Sequence, residues 1–495
     1  MLTIDSLLRT SSFVNGFWVD AENGDTFGVV NPADGTELAR VSDLSPADAR
    51  SAVVAAHDAF PDWSARLAEE RASLLMQWHD LMMENADDLA LLMTLEQGKP
   101  ISEARGEVAY GAAFVKWFAE EARRAYGDVI PSHDTDKRIL ALRQAVGVVL
   151  TVTPWNFPIA MITRKAAAAL AAGCTVISKP AEDTPLSALA LARLSELAGL
   201  PPGVFNVIPT SRPAEVVEAL MADTRIRKVS FTGSTEVGKI IMGQAAPSVK
   251  RVSLELGGNA PFIVFDDADV DVAARDVLAS KYRNAGQTCV CANRIFVQDG
   301  IYDAFLDAYR RLHTGLRVGP GVDEESDIGP LINQEAVDKV VRLLDGATQQ
   351  GARIVLGGGL IDGAAIGGGS HAPGNTFFAP TIVEGVRDDM ALASEEIFGP
   401  VSAIYRFSTE EDVIRRANDT PFGLAAYFHA RDNARIWRVS EALEYGIVGV
   451  NTGTISTPVA PFGGMKESGF GREGSRFGMD QYLEIKYVCI GGLSR

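Results

Sequence analysis

Val148–Val152 reads VVLTV, and this run with its continuation narrows the fold more than any other stretch of the chain. A β-branched run of this kind fits a fully buried strand. A helical stretch at 159–172 comes next, then a second buried strand at 174–178 and a helix at 184–198. Strands at 204–208, 228–231 and 251–255 continue the alternation, and the second of these feeds Thr232-Gly233-Ser234 into another helix. Strands alternating with helices at this spacing specify parallel βαβ units, with ligands beyond the carboxyl ends of the strands. A second run of the same kind starts near Pro261, with a helix over 270–285, and continues to about residue 450. The fold class is therefore α/β with two parallel-sheet domains, as a chain of 495 residues leads one to expect.

The flanking segments differ in kind. Residues 13–43 alternate short apolar runs with the turn signals Asn15-Gly16, Asn23-Gly24 and Asp34-Gly35, the pattern of small hairpins. Ser45-Pro46 opens a helical region that runs to about Tyr126, broken once at Gly98-Lys99-Pro100. Residues 127–147 read as either an edge hairpin or an arm that pairs with another subunit. Gly357–Gly374 reads as a surface loop, and Tyr482–Ile490 as a terminal strand.

Charge and cysteine usage exclude several classes. With 46 basic against 64 acidic residues the net charge is −18, which argues against nucleic acid or an anionic membrane as a partner. It leaves room for an anionic substrate in a local basic pocket. Cys174, Cys289, Cys291 and Cys489 are too few for a disulfide scaffold and lack zinc-site spacing, so no metal is expected. The N-terminus has no apolar core of a secretory signal, and Arg164 and Lys165 interrupt the one long apolar stretch. A cytoplasmic protein is expected.

Five motifs carry chemistry. Cys289 follows Gly286, Gln287 and Thr288, and Arg283 lies six residues upstream; it reads as a reactive thiol or as an ordinary buried cysteine. Asn156 stands between aromatics in the stiff loop Pro154-Trp155-Asn156-Phe157-Pro158, where its amide can donate to an oxyanion. Glu255 ends an apolar strand beside Gly257 and Gly258, as a general base or as a partner of Lys250. Lys179 and Glu182 follow a buried strand, to bond ribose hydroxyls or to pair at the surface. Gly233, Gly238 and Lys239 have P-loop spacing, but Ile240 stands where Mg²⁺ coordination needs Ser or Thr. What remains there is a capped turn, with or without a bound phosphate.

PWNFP, KPAE, FTGSTEVG, LELGG, GQTCVC, EEIFGP and PFGGMKESGFGRE occur in the order and approximate spacing of the aldehyde dehydrogenase superfamily. The chain most resembles the succinate-semialdehyde dehydrogenases, in ITRKAAAALAAGCTVISKPAEDTPLSALAL, RNAGQTCVCANR and the tail GREGSRFGMDQYLEIKYVCIGG. The resemblance implies an aldehyde dehydrogenase-like fold: residues 1–126 and 148–256 a NAD-binding domain, 257–470 a catalytic domain, 127–147 and 471–495 a small β oligomerisation arm. It further implies that Cys289 is the nucleophile, Asn156 the oxyanion donor and Glu255 the activator of the hydrolytic water. Glu396 and Phe398 are then expected at the nicotinamide ribose, and Lys179 and Glu182 at the adenosine ribose. Thr153, Pro154, Trp155, Gly233, Ser234 and Leu256 line the rest of the cofactor site on this reading. Glu182 favours NAD over NADP, because a carboxylate there repels a 2′-phosphate. Arg164, Arg283 and Ser456 correspond to a carboxylate clamp for succinate semialdehyde, with glutarate semialdehyde as the alternative. Cys291 is either an inert neighbour or a redox partner of Cys289. A homodimer or homotetramer is expected.

Overall fold

The computed structural model describes residues 7–361 and 376–493. Most of the Gly-rich piece 357–374 lies outside the described residues. The helical region opens on Pro46–Ala65, where Ser45 Oγ accepts from Asp48 N and the Asp48 carboxylate accepts in return from Ser45 N at 2.9 Å. This reciprocal cap satisfies two amides that the helix itself cannot. Helices Ala68–Glu84, Ala86–Gln97 and Ile101–Glu121 come after it. The break is Gly98, at φ +91°, where an added Cβ would come within 2.7 Å of Pro330. Only glycine fits that turn.

The first sheet has eight strands. Its parallel centre joins Arg251–Glu255, Ile226–Thr232, Val148–Val152, Thr175–Lys179 and Phe205–Val207, in that order. Two short antiparallel strands, Ser12–Val14 and Phe17–Val19, extend one edge. At the other edge Gly469–Phe470 pairs antiparallel with Leu254 and Glu255. The second sheet has seven strands, and Ala260–Val264, Ala292–Gln298 and Val401–Phe407 are parallel within it. Each sheet carries its own apolar core.

Helix Ala160–Ala172 is buried at every position. Its alanines allow Ile101–Glu121 to approach so closely that a Cβ on Gly111 would meet Ile159 at 2.8 Å. Ile162 and Leu170 then contribute about 1.5–3 kcal/mol each by burial. A third sheet meets these cores only at one end, where Leu483 is buried in the core of the first sheet and Ala145 packs against it. Arg138–Ala145 forms a hairpin with Asp128–Ile130 and pairs along its whole length with the tail strand Leu483–Ile490. Val129, Leu142, Ile485 and Tyr487 are exposed on it.

Candidate active site

The strand Arg251–Glu255, the loop after Val148–Val152 and the loop before Ala292–Gln298 converge between the two large sheets. The last of these carries Cys289. Helix Val270–Tyr282 stops three residues earlier than its pattern predicts, and Asn284, Ala285 and Gly286 then all take positive φ. Two non-glycine residues in that region cost about 1–3 kcal/mol each, so the turn must be held from outside. Asn284 N donates to Glu103 Oε2 at 2.8 Å, and Gln287 Oε1 accepts from Ile332 N at 3.0 Å. Gly258 lets the Cys289 carbonyl approach, since an added Cβ would lie 2.4 Å from that oxygen.

Asn156 is buried against this turn. Its Nδ2 donates to Gln287 O at 2.9 Å, which leaves a second N–H on the same nitrogen. Its side-chain oxygen has no partner among the described residues, while its backbone oxygen accepts from Lys99 Nζ at 2.8 Å and Asn284 Nδ2 at 2.9 Å.

Glu255 is buried, and its Oε2 has no hydrogen-bond partner among the described residues. Lys250 is not its partner, because Lys250 Nζ donates to the carbonyls of Asp223 and Ile226. Burial first, and the nearby Glu473 carboxylate second, hold Glu255 well above the usual carboxylate range. Burial likewise pushes the Cys289 thiol up to about 12, Glu396 adds to this, and Arg164 opposes it. At rest the thiol therefore keeps its proton. Cys291 lies deeper, with its thiol donating to Gly286 O at 3.3 Å and Lys281 Nζ 3.8 Å away. All four cysteines are free.

Arg283 donates to Ser456 Oγ at 3.2 Å and lies 4.8 Å over the Phe157 ring. Arg164 sits between Phe462, at 4.1 Å, and Phe114, at 5.5 Å. It is not a free cation, because it and Lys165 both pair with the buried Glu473 carboxylate. Its Nη2 nevertheless has no hydrogen-bond partner among the described residues. The structure adds Tyr110, whose ring meets Phe114 edge-on at 4.9 Å. Its hydroxyl is buried without a partner among the described residues, close to Ser456 but outside hydrogen-bond geometry. Burial raises Tyr110, and Arg164 and Arg283 oppose the rise. The sequence gives no sign of this role, since Tyr110 continues the apolar spacing of a core helix.

A cavity of about 680 Å³ opens beside Cys289. Pro154, Trp155, Gly233, Ser234, Leu256, Glu396 and Phe398 line it. Trp155 and Phe398 meet edge-on at 5.6 Å. Glu396 Oε1 accepts from Gly258 N at 2.9 Å, and burial raises this carboxyl to about 7. Ser234 caps helix Thr235–Ala245, whose N-terminus faces the same space. Lys339, which the sequence reading missed, lines the opposite wall. Thr153, Lys179 and Glu182 are not among the lining residues. They stand at the carboxyl ends of neighbouring strands, with Lys179 Nζ 2.9 Å from Glu182 Oε2. An apolar cavity rimmed by the unpartnered Thr232 Oγ1, an acidic group and a helix N-terminus fits a dinucleotide. Among the described residues there is no His, Cys, Asp or Glu cluster that could hold a metal, and no helix long and apolar enough to cross a membrane.

Addition to a carbonyl at one thiol, then oxidation and hydrolysis, is the chemistry of cysteine-dependent dehydrogenases. The chain belongs to the aldehyde dehydrogenase family, whose sequence model matches residues 18–488. It is 55% identical over 490 residues to the succinate-semialdehyde dehydrogenase (NADP+) of Escherichia coli K12, covering 99% of each chain. It is 54% identical over 487 residues to the glutarate-semialdehyde dehydrogenase of Pseudomonas aeruginosa, covering 98% of this chain and 99% of that one. The 3-sulfolactaldehyde dehydrogenase of Pseudomonas putida is 54% identical over 490 residues, 99% of each. Among solved structures, the succinate-semialdehyde dehydrogenase of Burkholderia pseudomallei superposes with a TM-score of 0.95 at 51% identity, over 98% of each chain.

Proposed function

We propose that this chain oxidises a short aldehyde bearing a terminal carboxylate, succinate semialdehyde ahead of glutarate semialdehyde, with NAD preferred to NADP. The observation that carries the substrate class is the cluster of Arg283, Ser456, Tyr110 and Arg164 beside Cys289, which offers N–H and O–H donors to one anion. The relatives named for succinate semialdehyde, glutarate semialdehyde and 3-sulfolactaldehyde all act on aldehydes with a distal acidic group.

Cys289 Sγ gives up its proton to solvent water and adds to the aldehyde carbon as the thiolate, and the carbonyl π pair moves onto oxygen. The second N–H of Asn156 Nδ2 and the Cys289 backbone N–H meet that oxyanion. Glu396, Phe398, Trp155 and Ser234, with Lys179 and Glu182 at the adenosine end, would hold a nicotinamide dinucleotide, which when bound would take up the hydride from the substrate carbon. Glu255 then removes a proton from water, whose oxygen attacks the thioester carbon; the C–S bond breaks and the acid leaves.

Glu182 supports NAD, since the Lys179 ammonium keeps its carboxylate where it can accept from a ribose hydroxyl. The exposed apolar face of the third sheet supports a homodimer or homotetramer built on residues 127–147 and 471–495. Four free thiols support a reducing, cytoplasmic setting. Initial rates with succinate semialdehyde, glutarate semialdehyde and butanal, each with NAD and NADP, test the reading. Equal rates with butanal would overturn the clamp, and faster turnover with NADP would overturn the cofactor preference.

A further inference from the structure

We propose that the buried ion pair of Lys99 and Glu107 is a positioning device for Asn156, setting where its amide meets the reacting oxygen. The proposal rests on Asn156 serving as the oxyanion donor.

Both side chains are at most 1% exposed, and Lys99 Nζ lies 2.5 Å from Glu107 Oε2. The same ammonium donates to the Asn156 carbonyl at 2.8 Å and sits 4.1 Å from the centre of the Phe157 ring. The other oxygen of Glu107 accepts from Ile159 N at 3.0 Å and Ala160 N at 3.1 Å. One carboxylate thus fixes the chain just after the Pro154–Pro158 loop, and its partner cation fixes the carbonyl in the middle of that loop. The frame is rigid behind them, because Gly98, wedged between Pro32 and Pro330, precedes Lys99.

The third contact joins donor to nucleophile. Asn284 Nδ2 donates to the same Asn156 carbonyl at 2.9 Å, and Asn284 N is held by Glu103, on the helix that also carries Glu107. The turn that presents Cys289 and the loop that presents Asn156 are therefore referenced to one oxygen atom. A neutral, well-packed pair of similar volume generally folds at least as well as a buried ion pair, so stability alone gives no reason for these charges. A point charge aimed at one backbone oxygen does have a geometric consequence, because a misplacement of about 1 Å can cost on the order of 10²-fold in rate.

The test is a double-mutant cycle between Lys99→Met/Glu107→Gln and Asn156→Ala. The double substitution removes both charges and keeps an acceptor for the Ile159 and Ala160 amides. Two rates are read: single-turnover NADH formation with succinate semialdehyde, and hydrolysis of 4-nitrophenyl acetate without dinucleotide, which also passes through an oxyanion at Cys289. The expected result is a loss on the order of 10²-fold in both rates with the KM for NAD unchanged, shrinking to less than about twofold in the Asn156→Ala background. Equal losses in both backgrounds would show a general structural role and overturn the proposal. An Asn156→Ala enzyme at full rate would overturn the oxyanion assignment, and the positioning device with it. Should the neutral pair fail to bind NADH, Glu107→Gln alone, which keeps an acceptor for the Ile159 and Ala160 amides but removes the one that holds Lys99, is read in the same cycle against the same outcomes.

Discussion

The Glu396 carboxylate accepts a hydrogen bond from Gly258 N at 2.9 Å, which places a group with a raised pKa of about 7 against the wall of the cofactor cavity. As pH rises through about 7 this acid loses its proton and becomes a pure acceptor for ribose hydroxyls. The KM for NAD is therefore expected to fall across that range. Glu396→Gln should flatten the profile and raise KM through about 1.5–3 kcal/mol of lost charged hydrogen bonding, roughly 10- to 150-fold. A KM that still falls with pH in the variant would remove Glu396 from this role.

Glu255→Gln separates the two halves of the reaction. Steady-state turnover should drop on the order of 10²- to 10⁴-fold, the usual share of general base catalysis. The first turnover of NADH should persist as a burst, because the thioester still forms and is stranded. Loss of the burst along with turnover would mean that Glu255 acts earlier, at the thiol.

Tyr110→Phe removes one hydroxyl that has no partner in the resting site. The KM for succinate semialdehyde is expected to rise roughly tenfold or more, with kcat little changed and butanal kinetics unaltered. Arg283→Met should act in the same direction and more strongly. A Tyr110→Phe enzyme with wild-type selectivity would take the phenol out of the clamp.

For the adenosine end, Glu182→Ser should relax the preference towards NADP, since it removes the repulsion of a 2′-phosphate and frees Lys179 Nζ from its carboxylate partner. The ratio of kcat/KM for the two cofactors is the measurement. An unchanged ratio would place the discrimination elsewhere.

Glu473→Gln leaves Arg164 and Lys165 buried without their anion. Breaking a buried pair from one side costs about 3–5 kcal/mol, which urea denaturation would register. Stability within about 1 kcal/mol of the parent would mean that the two cations find other partners.

What the sequence shows is what is local. VVLTV and RVSLE are strands in the structure at the positions their β-branched patterns give, because burial on both faces of a parallel sheet leaves a continuous apolar signature. The Asn156, Glu255 and Cys289 motifs stand at the ends of such elements, and the fold brings them together. The partners of Arg164 and Lys165 are another matter. Glu473 lies some three hundred residues further on, in a tail whose spacing says nothing of where its side chain goes. Tyr110, Glu107 and Lys99 are hidden for the same reason. Tyr110 and Glu107 stand on a helix that reads as ordinary core and Lys99 in the break just before it, and only the packing of Ile101–Glu121 against Ala160–Ala172 turns them towards the site.

The short pairing of Gly469–Phe470 with Leu254 and Glu255 also bears on how the enzyme exchanges its ligands. Ser468 extends that seam: its carbonyl accepts from Leu256 N, its hydroxyl donates to Gly257 O at 2.7 Å, and the same hydroxyl accepts from Gly423 N at 2.9 Å. One serine thus rivets the edge of the first sheet to the second beside Glu255. Parting the two halves at this edge would break those bonds. A spent cofactor that leaves with the seam intact would depend on smaller shifts about the cavity that Glu396 and Phe398 line, the kind of movement that can pace turnover in place of bond making.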